Sequence, residues 1–113
     1  MNCIFCKIAT GEIPATIVYK DEQVTAFRDI HPAAPTHVLI IPNKHIASIN
    51  EAVPTDEALL GHLFVSARKI AEMDGINESG YRVIVNTGEH GGQTVHHLHM
   101  HVLGGQTMQH PMG

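Results

Sequence analysis

The chain has 113 residues, which predicts one domain spanning residues 1–113. Hydrophobic residues make up 43% of it and charged residues 16%, a composition that excludes a disordered chain. The formal net charge of −4 argues against nucleic acid or an anionic membrane as partners, and no apolar run reaches the roughly 20 residues that span a bilayer. Because the first residues show no basic segment followed by an apolar one, we expect a cytoplasmic protein.

The first part of the chain predicts a short helix and three strands. Residues 3–9 form a short apolar segment, and Gly11 can end a helix there. Residues 17–20 and 24–29 predict the two strands of a hairpin. Residues 37–41 are almost all apolar and predict a strand buried on both faces.

The second part predicts one long helix over residues 55–74, capped by Thr55, followed by strands over residues 81–86 and 95–103. Seven residues recur at helical spacing and give the helix one apolar stripe: Leu59, Leu60, Leu63, Phe64, Ala67, Ile70 and Ala71. Short connections favour an antiparallel sheet of about five strands with the long helix on one face. The predicted fold class is therefore α+β.

Three alternate histidines carry the most informative pattern in the chain. In a strand, His97, His99 and His101 share one face, while the apolar residues between them face the core. A metal site of the His-x-His type is one interpretation. The other is that an imidazole acts as a nucleophile toward phosphorus and carries a covalent intermediate.

A glycine-rich segment leads directly into the histidines. Gly91 and Gly92 let the backbone approach a ligand closely, and Gln93 and Thr94 offer an amide and a hydroxyl suited to phosphate oxygens. An ordinary glycine turn is the alternative. The chain has two cysteines, Cys3 and Cys6. Three interpretations are open for them: half of a metal site, a redox pair or two unconnected thiols.

The sequence resembles the histidine triad (HIT) superfamily over nearly its whole length. Residues 97–103 match the motif His-φ-His-φ-His-φ-φ, in which φ is an apolar residue, and residues 91–95 precede it as in that family. Four further segments resemble the Hint branch of purine nucleotide phosphoramidases: residues 13–15, 27–30, 34–42 and 103–105. The resemblance implies a HIT-like fold and hydrolysis of nucleoside 5′-phosphoramidates, with adenosine as the expected nucleoside.

The resemblance also implies roles for individual residues. His99 would attack the α-phosphorus and carry the nucleotidyl group, and His101 would contact phosphate oxygens. His97 completes the triad, and His37 would hydrogen-bond a triad histidine and fix its tautomer. Asp29 would hold the ribose hydroxyls. The apolar slot for the purine would consist of Phe5, Ile8, Phe27 and Ile30. The phosphate or the leaving group would be contacted by Asn86, Gly92, Gln93 and Thr94.

A structural zinc is implied by related branches of the superfamily, including galactose-1-phosphate uridylyltransferases. Their Cys-x-x-Cys pair, mid-chain histidine and first triad histidine match Cys3, Cys6, His45 and His97. Two thiolates and two imidazoles are a standard tetrahedral zinc set. Such a zinc would leave His99 available, and no metal would be required at the reacting phosphorus.

The resemblance and the broad stripe of the long helix also predict a homodimer. Many Hint proteins carry a tryptophan in the C-terminal tail, whereas this chain has none and His110 stands near that place, which leaves the leaving-group preference open. Three other functions stay open: a noncatalytic module that binds purine nucleotides, a metallohydrolase that uses the histidine row, and a dinucleoside polyphosphate hydrolase of the Fhit branch.

Overall fold

The computed structural model describes residues 2–113 and contains a five-stranded antiparallel sheet with a helix on each face. The strand order is β1-β2-β3-β5-β4. The elements are α1 (Ile4–Thr10), β1 (Ile17–Lys20), β2 (Val24–Arg28), β3 (Thr36–Pro42), α2 (Glu57–Met73), β4 (Tyr81–Val85) and β5 (Met100–Gly104). The expected α+β architecture is confirmed, and its boundaries agree with the predicted ones to within two residues except in the last strand.

The central strand β3 is buried along its whole length, as its continuous apolar run predicts. One face of the sheet packs on α2 through residues such as Val38, Ile40 and Val102. The other face packs on α1 through Phe27, Leu39 and Ile41. Because both faces are covered, β3 can hold side chains from its two faces in fixed positions.

The long helix differs from the prediction at its start and on its surface. Residues 54–56 form a 3₁₀ turn, and the carboxylate of Asp56 accepts hydrogen bonds from the Val53 backbone N–H (3.0 Å) and the Lys44 ammonium (2.6 Å). The helix therefore begins at Glu57, and the prediction that Thr55 caps it is wrong. Phe64, which the apolar stripe includes, is 61% exposed.

The last strand is the largest departure from the prediction. It begins at Met100, five residues later than expected, and residues 95–97 form a bend. Directly after this bend, the Leu98 N–H donates to the carbonyl of Ile46 (2.7 Å) rather than to a neighbouring strand. The apolar residues Leu98 and Met100 nevertheless point into the core with α2, so the alternation expected of the histidine row is kept through the bend.

In residues 2–113, no helix combines the length and the apolar character needed to cross a membrane.

Candidate active site and metal cluster

A cavity of about 390 Å³ opens between α1, the end of β2, Leu39 in β3, and the histidine segment, residues 94–101. It is lined mainly by apolar side chains, and Asp29, Thr94, His99 and His101 contribute polar groups. All four residues predicted for the purine slot line it: Phe5, Ile8, Phe27 and Ile30. A concave apolar cavity with a few polar groups at one end is typical of a small-molecule site.

His99 is oriented by a hydrogen bond to the backbone. Its Nδ1 lies 2.7 Å from the carbonyl oxygen of His97, and because a carbonyl only accepts, Nδ1–H is the donor. A neutral His99 therefore carries a lone pair on Nε2. The ring also packs edge-on against Phe5, with centroids 5.1 Å apart. In its neutral form, this buried side chain therefore presents a ring nitrogen with a lone pair, and it lines the cavity.

His101 belongs to a hydrogen-bonded chain with His37. The Ala33 N–H donates to Nδ1 of His37 (3.0 Å), so the proton of neutral His37 is on Nε2. This Nε2–H donates to Nδ1 of His101 (2.9 Å), which leaves the proton of neutral His101 on its Nε2. The two rings are brought together because His37 and His101 are diagonal neighbours on the same face of the paired strands β3 and β5.

Both of these histidines are held neutral near pH 7. Burial is the main cause that lowers the pKa of His37, and the Asp29 carboxylate opposes it. Burial, together with His99 and His37, lowers the pKa of His101 to about 4. A carboxylate oxygen of Asp29 lies 3.5 Å from Nε2 of His37, and its other oxygen accepts the His31 N–H (2.8 Å). Asp29 thus lies at the cavity with a fixed orientation.

The glycine-rich segment is held in place by Gln93. Its amide nitrogen donates to the carbonyls of Ala47 (2.7 Å) and Val95 (2.9 Å), and its amide oxygen accepts the Gly88 N–H (3.0 Å). These partners occupy the amide, and Gln93 is buried. A side chain at Gly91 would collide with the carbonyl of Thr87, which explains the glycine there.

Of the four residues expected at the phosphate, only Thr94 lines the cavity. The side chain of Asn86 donates to the Gly91 carbonyl (2.7 Å) and so braces the same segment. Gly92 has φ of 81°, a conformation that favours glycine, and lies in the turn that precedes Gln93 and Thr94. The structure thus places Asn86, Gly92 and Gln93 in the support of this segment, and their contact with phosphate stays a prediction.

Beside the cavity lies a separate cluster of possible metal ligands that includes His97, the first histidine of the row. Cys3, Cys6, His45 and His97 each offer one ligand atom, and these atoms all lie within 4.8 Å of one another. Nδ1 of His97 is 3.2 Å from Sγ of Cys3, 3.5 Å from Sγ of Cys6 and 3.2 Å from Nδ1 of His45. Sγ of Cys6 is 3.3 Å from Nδ1 of His45. The four predicted ligands thus converge on one point.

The donor atoms of this cluster suit a cation. Nε2 of His97 lies 2.8 Å from the carbonyl oxygen of Pro42 and must carry the ring proton, so Nδ1 directs a lone pair at the cluster. Two sulfurs and two imidazole nitrogens at these separations form a closed tetrahedral set of the kind that binds structural zinc. The residues therefore fit the metal that the resemblance implies.

Several residues that support the histidines or line the cavity were not expected from the sequence. The Ala33 N–H fixes the tautomer of His37, and the Pro42 carbonyl fixes that of His97. Backbone groups carry no side-chain signal, so the sequence could not single them out. The cavity wall also includes Ile4, Ile13, Pro14, Ala15, Arg28, His31, Leu39 and Val95. Among these, residues 13–15, Arg28, Leu39 and Val95 had a signal, because they lie in segments that resemble the family.

The HIT domain family model matches residues 10–108 of the chain. The match spans most of the sequence, and the chain therefore belongs to the histidine triad family. The fold and the three histidines agree with this membership, since the structure also superimposes closely on solved structures of the family.

Three proteins illustrate the range of sequence identity among the relatives of this chain. A purine nucleoside phosphoramidase of Escherichia coli (strain K12) is 56% identical over 105 residues, which cover 93% of this chain and 88% of the relative. A HIT family hydrolase of Legionella pneumophila has a TM-score of 0.96 and 54% identity, covering 99% of this chain and 100% of that one. A Zn-bound histidine triad family protein of Mycobacterium smegmatis has a TM-score of 0.83 and 28% identity, covering 96% and 78%.

Proposed function

We propose that this chain is a hydrolase that cleaves purine nucleoside 5′-phosphoramidates through a nucleotidyl intermediate on His99. The observation that carries the proposal is the hydrogen bond from Nδ1–H of His99 to the His97 carbonyl (2.7 Å), which leaves the Nε2 lone pair for attack. The E. coli relative named a purine nucleoside phosphoramidase, at 56% identity, supports the substrate class.

The first step forms a bond between Nε2 of His99 and the α-phosphorus and breaks the bond from phosphorus to the amine. The departing amine takes up a proton from solvent. In the second step, water attacks the same phosphorus, the bond to His99 breaks, and the nucleoside monophosphate leaves as water gives up a proton. His101 would donate its Nε2–H to the phosphoryl oxygens in both steps and so stabilise the charge that develops there.

The nucleoside would occupy the apolar end of the cavity. Phe5 and Phe27, whose rings meet edge-on with centroids 5.4 Å apart, would contact the purine together with Ile8 and Ile30. Asp29 would accept hydrogen bonds from the ribose hydroxyls. Thr94 would offer its hydroxyl to the phosphate, and Gln93 and Asn86 would hold the segment that carries it.

We further propose that Cys3, Cys6, His45 and His97 hold a structural zinc ion. When bound, zinc would link α1 to the histidine segment and leave no open coordination position for substrate. Elemental analysis of protein made without a polyhistidine tag should find about one zinc per chain. The Cys3→Ser, Cys6→Ser double variant should lose it, whereas a wild type without bound zinc after zinc-replete growth would contradict the site.

The assay that tests the function compares adenosine and guanosine 5′-phosphoramidates with dinucleoside polyphosphates, using protein dialysed against a mild chelator under conditions that keep it folded. We expect turnover of the phosphoramidates that continues after a dialysis that removes loosely bound metal and leaves the zinc of the cluster in place. Nucleotide binding without any turnover would instead support a noncatalytic module. Activity lost on dialysis and restored by a metal, while the zinc of the Cys3, Cys6, His45 and His97 cluster is retained by elemental analysis and the fold is unchanged, would support a metallohydrolase.

A further inference from the structure

We propose that Cys3, Cys6 and His45 are positioning residues for the reaction as well as ligands of a metal. Through His97 and α1, the cluster would set the orientation of the His99 nucleophile and the shape of the purine end of the cavity. This inference rests on the proposed function and on the proposed metal site.

The first link runs through the backbone of His97. Its side chain is fully buried and is held by the Pro42 carbonyl on one ring nitrogen and by the cluster on the other. Its own carbonyl oxygen accepts the Nδ1–H of His99 at 2.7 Å. The residue whose ring joins the cluster therefore also fixes the tautomer and direction of the nucleophile.

The second link runs through α1. Cys3 caps this helix, and its Sγ accepts the Cys6 N–H at 3.2 Å, so the two thiols bracket the first turn. Between them, Phe5 packs edge-on against the rings of His97 (6.0 Å) and His99 (5.1 Å) and lines the cavity. Ile8, one turn later, lines the same wall.

Loss of the cluster would loosen both links at once. Nδ1 of His97 carries a lone pair and lies 3.2 Å from Nδ1 of His45, an approach that needs a proton or a cation between the two nitrogens. Without that bridge the two rings separate, and the His97 carbonyl and α1 are less constrained. A displacement of about 1 Å at a reacting group can lower the rate about 10²-fold.

The test uses Cys6→Ser and Cys6→Asp variants and His45→Gln, each as the full chain. Cys6→Asp keeps a ligating side chain and preserves folding if the serine variant unfolds. Three quantities are measured: kcat on adenosine 5′-phosphoramidate, the Kd of adenosine monophosphate by calorimetry, and the His99 tautomer by nitrogen NMR. In the variants that lose the metal, we expect kcat to fall about 10²-fold, Kd to rise several-fold, and His99 to lose its single tautomer. Cys6→Asp should show smaller changes where it retains the metal.

His62→Gln is the matched control. His62 contacts the Asp21 carboxylate at 2.7 Å and links α2 to the β1–β2 hairpin, away from the cavity. The His62→Gln substitution should leave kcat, Kd and the His99 tautomer unchanged. The proposal is overturned if folded, zinc-depleted variants keep the wild-type kcat, Kd and tautomer, because the cluster would then only stabilise the fold. If the wild type does not hydrolyse phosphoramidates, the proposed function fails, whereas Kd and tautomer still decide the positioning claim.

Discussion

Backbone groups determine which ring nitrogen carries the proton in three histidines of this site. The carbonyl of Pro42 places the proton of His97 on Nε2, and the carbonyl of His97 places that of His99 on Nδ1. The Ala33 N–H does the reverse for His37 and keeps its Nδ1 unprotonated. Identical side chains therefore acquire different tasks: His97 faces the Cys/His cluster, His99 presents a lone pair, and His37 donates a hydrogen bond to His101.

His37 should act as a positioning residue. Its Nε2–H orients His101 at 2.9 Å, so His37→Ala removes the donor and should lower kcat about 10²-fold, with a smaller change in KM. His37→Gln keeps an N–H near the position of Nε2 and should recover part of the loss. Steady-state kinetics on an adenosine phosphoramidate checks both variants. Equal activity of His37→Ala and wild type would contradict the assignment.

At the residue scale, the sequence predicted that four histidines meet but not how their protons are placed. The resemblance to the family singled out His97, His99, His101 and His37, and the structure places these four residues close together. Their tautomers depend on carbonyl and amide groups at positions 33, 42 and 97, and every residue type except proline carries both groups. Side-chain identity therefore holds no information about them.

At the scale of elements, the late start of β5 shows what a periodic pattern leaves out. Alternation correctly separated the apolar residues Leu98 and Met100 from the histidines, because both a strand and an extended bend keep a period of two. It could not show that the Leu98 N–H pairs with Ile46, since that partner lies 52 residues earlier in the chain. The bend frees residues 95–99 to serve the cavity and the cluster.

Helix α2 and strand β4 suggest a surface for a second copy. Phe64, Val65 and Met73 on α2 are exposed, and β4 is an edge strand of the sheet. Exposed apolar patches and sheet edges commonly mark an interface. We therefore expect a homodimer by light scattering at micromolar concentration, and Phe64→Lys should shift it to a monomer. Val53→Lys, which changes another exposed apolar residue, is the control; a monomeric wild type would refute the prediction.

On the scale of the whole molecule, the sheet has one helix on each face, and the two helices have different tasks. The α2 face forms the main core, and Asp74 at the end of α2 receives two hydrogen bonds from Arg28 (2.5 and 2.8 Å). The α1 face holds the cavity and the cluster. Stability and function therefore lie largely on opposite sides of the sheet.

Stability should fall in mild acid because of buried neutral histidines. Burial lowers the pKa of His37 and lowers that of His101 to about 4, whereas a histidine in the unfolded chain titrates near about 6.5. Between these values the unfolded chain binds protons that the folded chain does not. The free energy of unfolding should therefore decrease as the pH falls through this window.

Urea denaturation at several pH values from about 7 to about 4.5 measures this dependence. His101→Asn should make this dependence shallower, because it removes one of the two buried histidines whose pKa is lowered. Hydrogen bonds donated by Arg28 lower the pKa of Asp74, so the stability that this carboxylate contributes is lost only below the pH range of the experiment. Stability that rises as the pH falls from 7 would contradict the account.

The central claim is that His99 carries the nucleotidyl group. Mass spectrometry of the intact protein and of its peptides tests this claim most directly. Wild-type protein is mixed with an adenosine 5′-phosphoramidate, quenched within one turnover, and digested to locate the adduct. We predict one adenylyl group on the peptide that contains His99. His99→Asn should show no adduct and should lower kcat by about 10³-fold or more. Turnover without an adduct, an adduct on another residue, or wild-type turnover in His99→Asn would contradict the mechanism.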